Sequence, residues 1–443
     1  MWTDSLGNPV ALQHAGSLVG LNDFVEGFIS SEARVGNILE AAAVDEAPLV
    51  QAYAAALHMF AENGAASASA RPFIARALAS PLKASPREQG FIRAVQAWVD
   101  GDVPRSIALL EQQVRDFPRD LVALKLAHYH LFNLGNSPGM LRVALAALPA
   151  AADVPYLHGM LAFAWEQCHL LEQAEACARK AIAMQRKEPW AHHALAHVML
   201  TQGRIREGHD FLADVSDSWV GLNSFMVTHN WWHQALFALE LGRHEEVLAL
   251  YDQQVWGVAK DYSQDQVNAV SLLARLELAG VGVGDRWQDV ADHLLQRLDE
   301  HVLPFLDMQY LYGLARAGRP EADELLRNIE SHAADVGPDL QQAWQRVCAP
   351  ASRGLLAHAR GDWQQALDEL GQALPRLTEI GGSHAQRDLF SQVHLDALIR
   401  SGNLAGAQHL LQQQLRSQPE SLRLQRQGAA VYRGLGLGEL ACT

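Results

Sequence analysis

The sequence predicts an all-α protein, an α-solenoid of stacked helix pairs curled tightly into an α-α superhelix. Three observations carry that prediction. Gly101, Gly135 and Gly203, with His169 in the slot between the last two, mark turns spaced 34 residues apart. Strand-like alternation is nearly absent, while apolar residues recur at three- and four-residue steps, as in VALKLAHYHLFNLG (122–135). Five residues past the turn markers stand small residues, Ser106, Ala174, Gly208, Ala366 and Ala407, where a second helix has to pack closely on a first. Met140 breaks that rule.

A 34-residue period is the length of one tetratricopeptide (TPR) helix–turn–helix unit. One unit cannot bury its apolar face alone, so units stack, and the stack has a groove. Residues 1–85 read as an N-terminal helical cap, off-period and broken by the small-residue loop NGAASASARP (63–72). Residues 86–255 read as TPR-like repeats, Pro118 closing a unit seventeen residues after Gly101, with the step stretching to 39 between Gly203 and Gly242. Residues 256–345 read as two irregular helix pairs divided by GVGVGD (280–285). That link follows a helix rather than a strand and lacks a GK[ST] ending, so it is a turn and not a phosphate loop. Residues 346–443 read as C-terminal TPR-like repeats, with helix starts at GDWQQAL (361–367) and GNLAGA (402–407) and a closing Pro419.

Composition bounds the function. Of 443 residues 49% are apolar and 19% charged, the balance of an ordered protein. Lys and Arg number 35 against 50 Asp and Glu, a net charge of −15 with no basic run. That speaks against a phosphate-neutralising surface, so no nucleic-acid partner is expected. Cys168, Cys177, Cys348 and Cys442 form no CxxC pair and read as buried or terminal thiols. The start MWTDSLGNPV is not a signal peptide, and no stretch approaches the roughly 20 apolar residues of a membrane span. The expectation is a soluble, cytoplasmic protein without a membrane partner.

Histidine marks the groove. His193 and His197 fall 10 and 6 residues before Gly203, and His229 and His233 fall 13 and 9 before Gly242. Glu166 falls 3 before His169, and Lys125 falls 10 before Gly135. Residues i and i+4 share a helix face, so each HxxxH pair points one way. Trp190 and Trp232 belong to the same positions, giving a wall of imidazole and indole.

Three chemistries fit this wall. His193, His197, His229 and His233 could hold a divalent metal, Zn, Mn or Fe, with Glu166 as ligand or base, although Ala194 rules out HExxH. His193 and His197 could act as acid–base groups with Glu166 setting the tautomer. Alternatively the imidazoles, Trp190, Trp232 and Lys125 grasp a polar or anionic ligand. Against all three stands simple packing, with the rings bonded to backbone. His192 and His209 are expected on the surface, while His128 and His130 flank the groove position of Tyr129.

Four segments, HHALAH (192–197), HNWWHQAL (229–236), GVGDRWQDV (282–290) and GGSHAQRDLF (381–390), together resemble the tetratricopeptide repeat protein 38 family, from REQ (87–89) onward. The resemblance implies a compact TPR-like array and brings no established activity. Its motif residues map onto His193, His197, His229, Asn230, Trp232, His233, Arg286, Trp287, Gln386, Arg387 and Asp388. The chain departs from it at Leu200, where animal members of the family carry a carboxylate.

The GGSHAQRD segment has its own logic. Gly381 and Gly382 permit unusual backbone angles, and Ser383 with Gln386 makes a capping box. The helix that follows offers an anion-binding N-terminus with Arg387 in its first turn. The alternative is a structural ion pair between Arg387 and Asp388.

The first functional expectation is therefore a TPR-like protein binding a small polar or anionic molecule, or a peptide end, in the His/Trp groove, with Gln386, Arg387 and Asp388 beside it. An enzyme comes second, a metal-dependent or histidine-based hydrolase, lyase or isomerase using the same groove. A protein–protein scaffold comes third, because Lys125 is nearly alone as a groove cation. A homodimer could form through terminal helices bearing residues such as Trp363.

Overall fold

The computed structural model describes residues 2–438 and is all helical apart from one short hairpin, Trp2–Thr3 against Pro9–Val10. Cys442 lies outside the described residues. Helices follow one another in antiparallel pairs, such as Pro86–Val99 with Val103–Asp116 and Leu121–Asn133 with Ser137–Ala151.

The turn markers set this architecture. Gly101, Gly135, Gly203 and Gly242 all take positive φ, between 66° and 83°, and His169 takes the same left-handed conformation at 58°. A left-handed residue just past a helix lets the next N–H groups turn back onto the helix's last carbonyls. Gly101 N bonds to Trp98 O at 3.0 Å and Asp102 N to Ala97 O at 2.8 Å; His169 and Leu170 repeat the pattern on Glu166 and Trp165. Gly280, Gly318, Gly361 and Gly402 carry the same conformation onward at wider spacings. The 34-residue period fades there, but the helix–turn–helix rhythm does not. The small positions Ser106, Ala174, Ala366 and Ala407 are all buried, and so is Met140, whose flexible thioether is accommodated.

GVGVGD is a turn between the helices Ser263–Leu278 and Arg286–Leu294. It therefore joins the two helices of one pair rather than dividing two pairs as expected, and Pro304–Arg316 and Glu321–Asp335 follow as the next pair.

The described chain divides into two compact units, one of residues up to Leu195 with Asp217–Met226, the other of Ala196–Ser216 and residues from Val227. The boundary falls inside the continuous helix Pro189–Thr201.

In the first unit an early segment packs onto residues far along the chain. The helix Ser17–Ser30 ends against Lys125, whose ammonium donates to Phe28 O (2.5 Å) and Ser31 Oγ (2.9 Å) and lies 4.9 Å from the Trp190 ring centre. Trp190 Nε1 donates to the same Ser31 Oγ at 2.9 Å, and Lys187 pairs with Glu32 at 2.6 Å. A cation at a helix C-terminus complements the carbonyls left without an intrahelical partner.

The second unit closes on itself. Gln418 Nε2 reaches Leu200 O at 2.9 Å, and Arg423 Nε pairs with Glu240 Oε1 at 2.8 Å, a carboxylate that also accepts from Ser421. The ends of its helical run are thereby joined. Trp232, Trp344, Tyr251, Tyr310 and Phe390 fill its core.

Candidate metal centre

The helices Pro189–Thr201 and Ser224–Glu240 each carry an HxxxH pair. In the second unit His197 and His233 approach with ring centres 4.5 Å apart, and His233 lies 4.8 Å from His229 at nearly a right angle. His193 stands one turn before His197 on the same helix. Each of the four residues offers a ring nitrogen within 4.8 Å of the others, and all four are at most 2% exposed.

A hydrogen-bonded chain orients one of these rings. Thr228 Oγ1 donates to Asp265 Oδ1 at 2.9 Å and receives the Asn268 amide at 3.4 Å. Asn268 Oδ1 is thereby turned toward His229 Nδ1, 2.9 Å away. His229 Nδ1 donates that bond, so Nε2 keeps its lone pair. Burial pushes the His229 imidazole down to about 3, against the pull of Asn268 and with the help of His197. It stays neutral at ordinary pH. Trp232 stacks on His229 at 5.1 Å and stands edge-on to His233 at 4.9 Å, and the Arg275 guanidinium covers its ring at 5.8 Å.

A four-imidazole donor set fits a borderline transition metal. Four ring nitrogens, that of His229 neutral and freed by an outer hydrogen bond, meet the chemical demands of such a site. Among the described residues the group includes no carboxylate.

The remaining sequence candidates go elsewhere. Glu166 is buried with its carboxylate accepting from Gln167 Nε2 at 2.5 Å, outside the four-histidine group. Lys125 and Trp190 are engaged with residues 28–31, as described. Trp190 also meets His193 edge-on at 5.4 Å. Gln386 and Ser383 form the expected capping box. The Arg387 guanidinium clasps the carbonyls of Gly381 (3.2 Å) and Gly382 and lies 3.3 Å from His384 Nδ1. Asp388 accepts from the buried Arg275 at 3.0 Å.

The four imidazoles are not an open groove wall, because all four are at most 2% exposed. His192 and His209 are not surface residues either. His192 is fully buried, accepts from Trp219 Nε1 at 3.1 Å and is pushed down to about 4 by burial. His209 lies 2.8 Å from Glu246 and 3.1 Å from Arg243. An i, i+4 count along one helix cannot see the neighbouring helices that enclose these rings.

Asn268, Thr228 and Asp265 carry no local motif and went unseen in the sequence. The signal was in the repeat register: Asn268 lies 12 residues before Gly280, close to the 13 that separate His229 from Gly242.

Among the described residues no helix is long and apolar enough to cross a membrane. No known family model matches the chain. Among solved structures, the human IFIT1 dimer with PPP-AAAA is similar at 12% identity, covering 85% of this chain and 85% of that one, with a TM-score of 0.42. The human IFIT1 dimer with m7Gppp-AAAA is similar at 12% identity over 98% of this chain and 89% of that one, TM-score 0.37. Naa15/Naa10 bound to HypK-THB matches at 12% identity over 96% and 67%, TM-score 0.26. The two IFIT1 structures hold PPP-AAAA and m7Gppp-AAAA, and the expectation of no nucleic-acid partner is withdrawn. Net charge sums over the whole surface and does not decide the charge of any one face. By its helix pairs and left-handed turn residues, the chain is a TPR-like helical-repeat protein.

Proposed function

We propose that this chain is a metal-binding TPR-like protein, holding a divalent transition metal between His193, His197, His229 and His233. The convergence of four buried ring nitrogens within 4.8 Å carries the reading. Four imidazoles without a carboxylate suit Zn or Fe better than Mn, which prefers oxygen ligands. A centre closed by four protein ligands is the pattern of a structural site, whereas a catalytic one keeps a position open. The metal would then staple the helix Pro189–Thr201 to the helix Ser224–Glu240. The segments that resemble the tetratricopeptide repeat protein 38 family include both HxxxH pairs, so membership in that family and this centre stand on the same residues.

The test is elemental analysis of untagged protein beside the His193→Ala/His233→Ala variant. One metal per chain, lost in the variant and on chelation with a lowered melting temperature, is the expected result. A folded wild type that holds no metal and takes up none on titration would overturn the reading.

A further inference from the structure

Away from the histidine group, the second unit holds a cavity of about 180 Å³. It lies where the C-terminal ends of the helices Ser263–Leu278, Pro304–Arg316, Ala349–Arg360 and His384–Arg400 meet the start of Trp363–Ala373. Each of those four ends contributes polar groups to the wall: Glu277, Tyr312 and Arg316, His358, and Asp396 with Arg400.

Three of these groups form a hydrogen-bonded line. Asp396 Oδ2 lies 3.0 Å from His358 Nε2, and His358 Nδ1 lies 3.0 Å from the Tyr312 hydroxyl. Burial alone would raise the Asp396 carboxyl, but the hydrogen bond from His358 and the charge of Arg400 hold it below its ordinary value. The carboxylate is the accepting end, so His358 donates through Nε2, and in the neutral ring Nδ1 then accepts from the Tyr312 hydroxyl. The tyrosine proton is thereby committed, and the oxygen is left as an acceptor toward the cavity.

The charges of the wall balance. Arg316 pairs with Glu277 at 2.6 Å, and Arg400 sits 3.4 Å from Asp396 with its guanidinium 5.7 Å from the Trp363 ring centre. Arg316 Nε is buried without a hydrogen-bond partner, a donor still to be used. The wall therefore offers donors from two arginines and acceptors from Glu277 and Tyr312, with no net charge among its four ions. A simple anion would satisfy the arginines and face two carboxylates; a simple cation would do the reverse. A molecule carrying both charges meets both demands. The four helix C-termini around the cavity add partial negative charge that favours an ammonium group.

We propose that this cavity binds a free α-amino acid, its carboxylate held by Arg316 and Arg400 and its ammonium by Glu277 and the Tyr312 oxygen.

Calorimetric titration of the full chain with the twenty standard amino acids tests this, with acetate and methylamine as single-charge probes. The expected result is saturable 1:1 binding of at least one amino acid, about tenfold or more tighter than either probe. Arg400→Gln should weaken that binding by about tenfold. The Arg400 side chain is 58% exposed, so this variant leaves the fold intact. The His193→Ala/His233→Ala variant should retain the binding if folded, which separates this cavity from the histidine group. The proposal is overturned if no amino acid binds saturably, if acetate or methylamine binds as well, or if Arg400→Gln binds like the wild type.

Discussion

Asn268 Oδ1 accepts from His229 Nδ1 across 2.9 Å, and that one bond decides which nitrogen of His229 is left for a metal. The Asn268 amide is itself fixed by Thr228, which is fixed by Asp265. Outer-sphere partners of this kind typically contribute 10–100-fold to metal affinity. Asn268→Ala should therefore weaken Zn binding by about that range in competition with a chromophoric chelator. Unchanged affinity would remove Asn268 from the site.

Arg387 is bonded to the two carbonyls that precede its own helix, in a loop where Gly381 and Gly382 both sit at φ 75°. It holds the turn closed, and a side chain at Gly382 would press on the Phe305 ring. Arg387→Ala should lower unfolding free energy by about 1–3 kcal/mol, the cost of leaving buried acceptors unmade. Metal content should stay at the wild-type level. A variant of full stability that lost its metal would contradict this structural assignment.

Much of the fold was legible because its determinants are local. A left-handed turn residue needs only its own helix, so Gly101, Gly135, His169 and Gly203 announced themselves by spacing. The HxxxH pairs were legible for the same reason, since one helix fixes both rings. What the sequence hid is long-range. Lys125 looked like a groove cation because nothing nearby shows that Phe28 and Ser31, almost a hundred residues earlier, come to lie on it. The burial of His192 depends on Trp219, and the link between His229 and Asn268 spans 39 residues. The line of Tyr312, His358 and Asp396 at the cavity assembles from three helices and has no contiguous signature.

Gly208 is one of the five small residues that the repeat pattern required, and its environment explains why. A Cβ at this position would run into the ring of Phe237, which is itself fully buried. Closely packed cores do not yield to an added methyl without displacing a neighbour. Gly208→Ala should cost about 1–3 kcal/mol in urea unfolding, even though alanine is the better helix former. An unchanged or raised midpoint would show that Phe237 can move aside.

Acid should weaken the first unit through two histidines that the fold holds neutral. Burial pushes His128 down to about 4 and His130 to about 3. His128 Nε2 is 2.9 Å from Met140 O, and His130 stands edge-on to Trp98 at 4.8 Å. In the unfolded chain both rings take up protons near pH 6.5, while in the fold they remain neutral well below that. The unfolded state therefore binds more protons as pH falls, so stability is fully present above about 6.5 and declines toward about 4. Between pH 6.5 and 5 each ring should withdraw about 2 kcal/mol. His130→Phe keeps the ring contact with Trp98 and cannot take up a proton. Its unfolding free energy, followed by urea titration across this range, should fall less steeply than that of the wild type, by about one proton. An identical slope in the variant would mean that His130 is not held neutral by the fold.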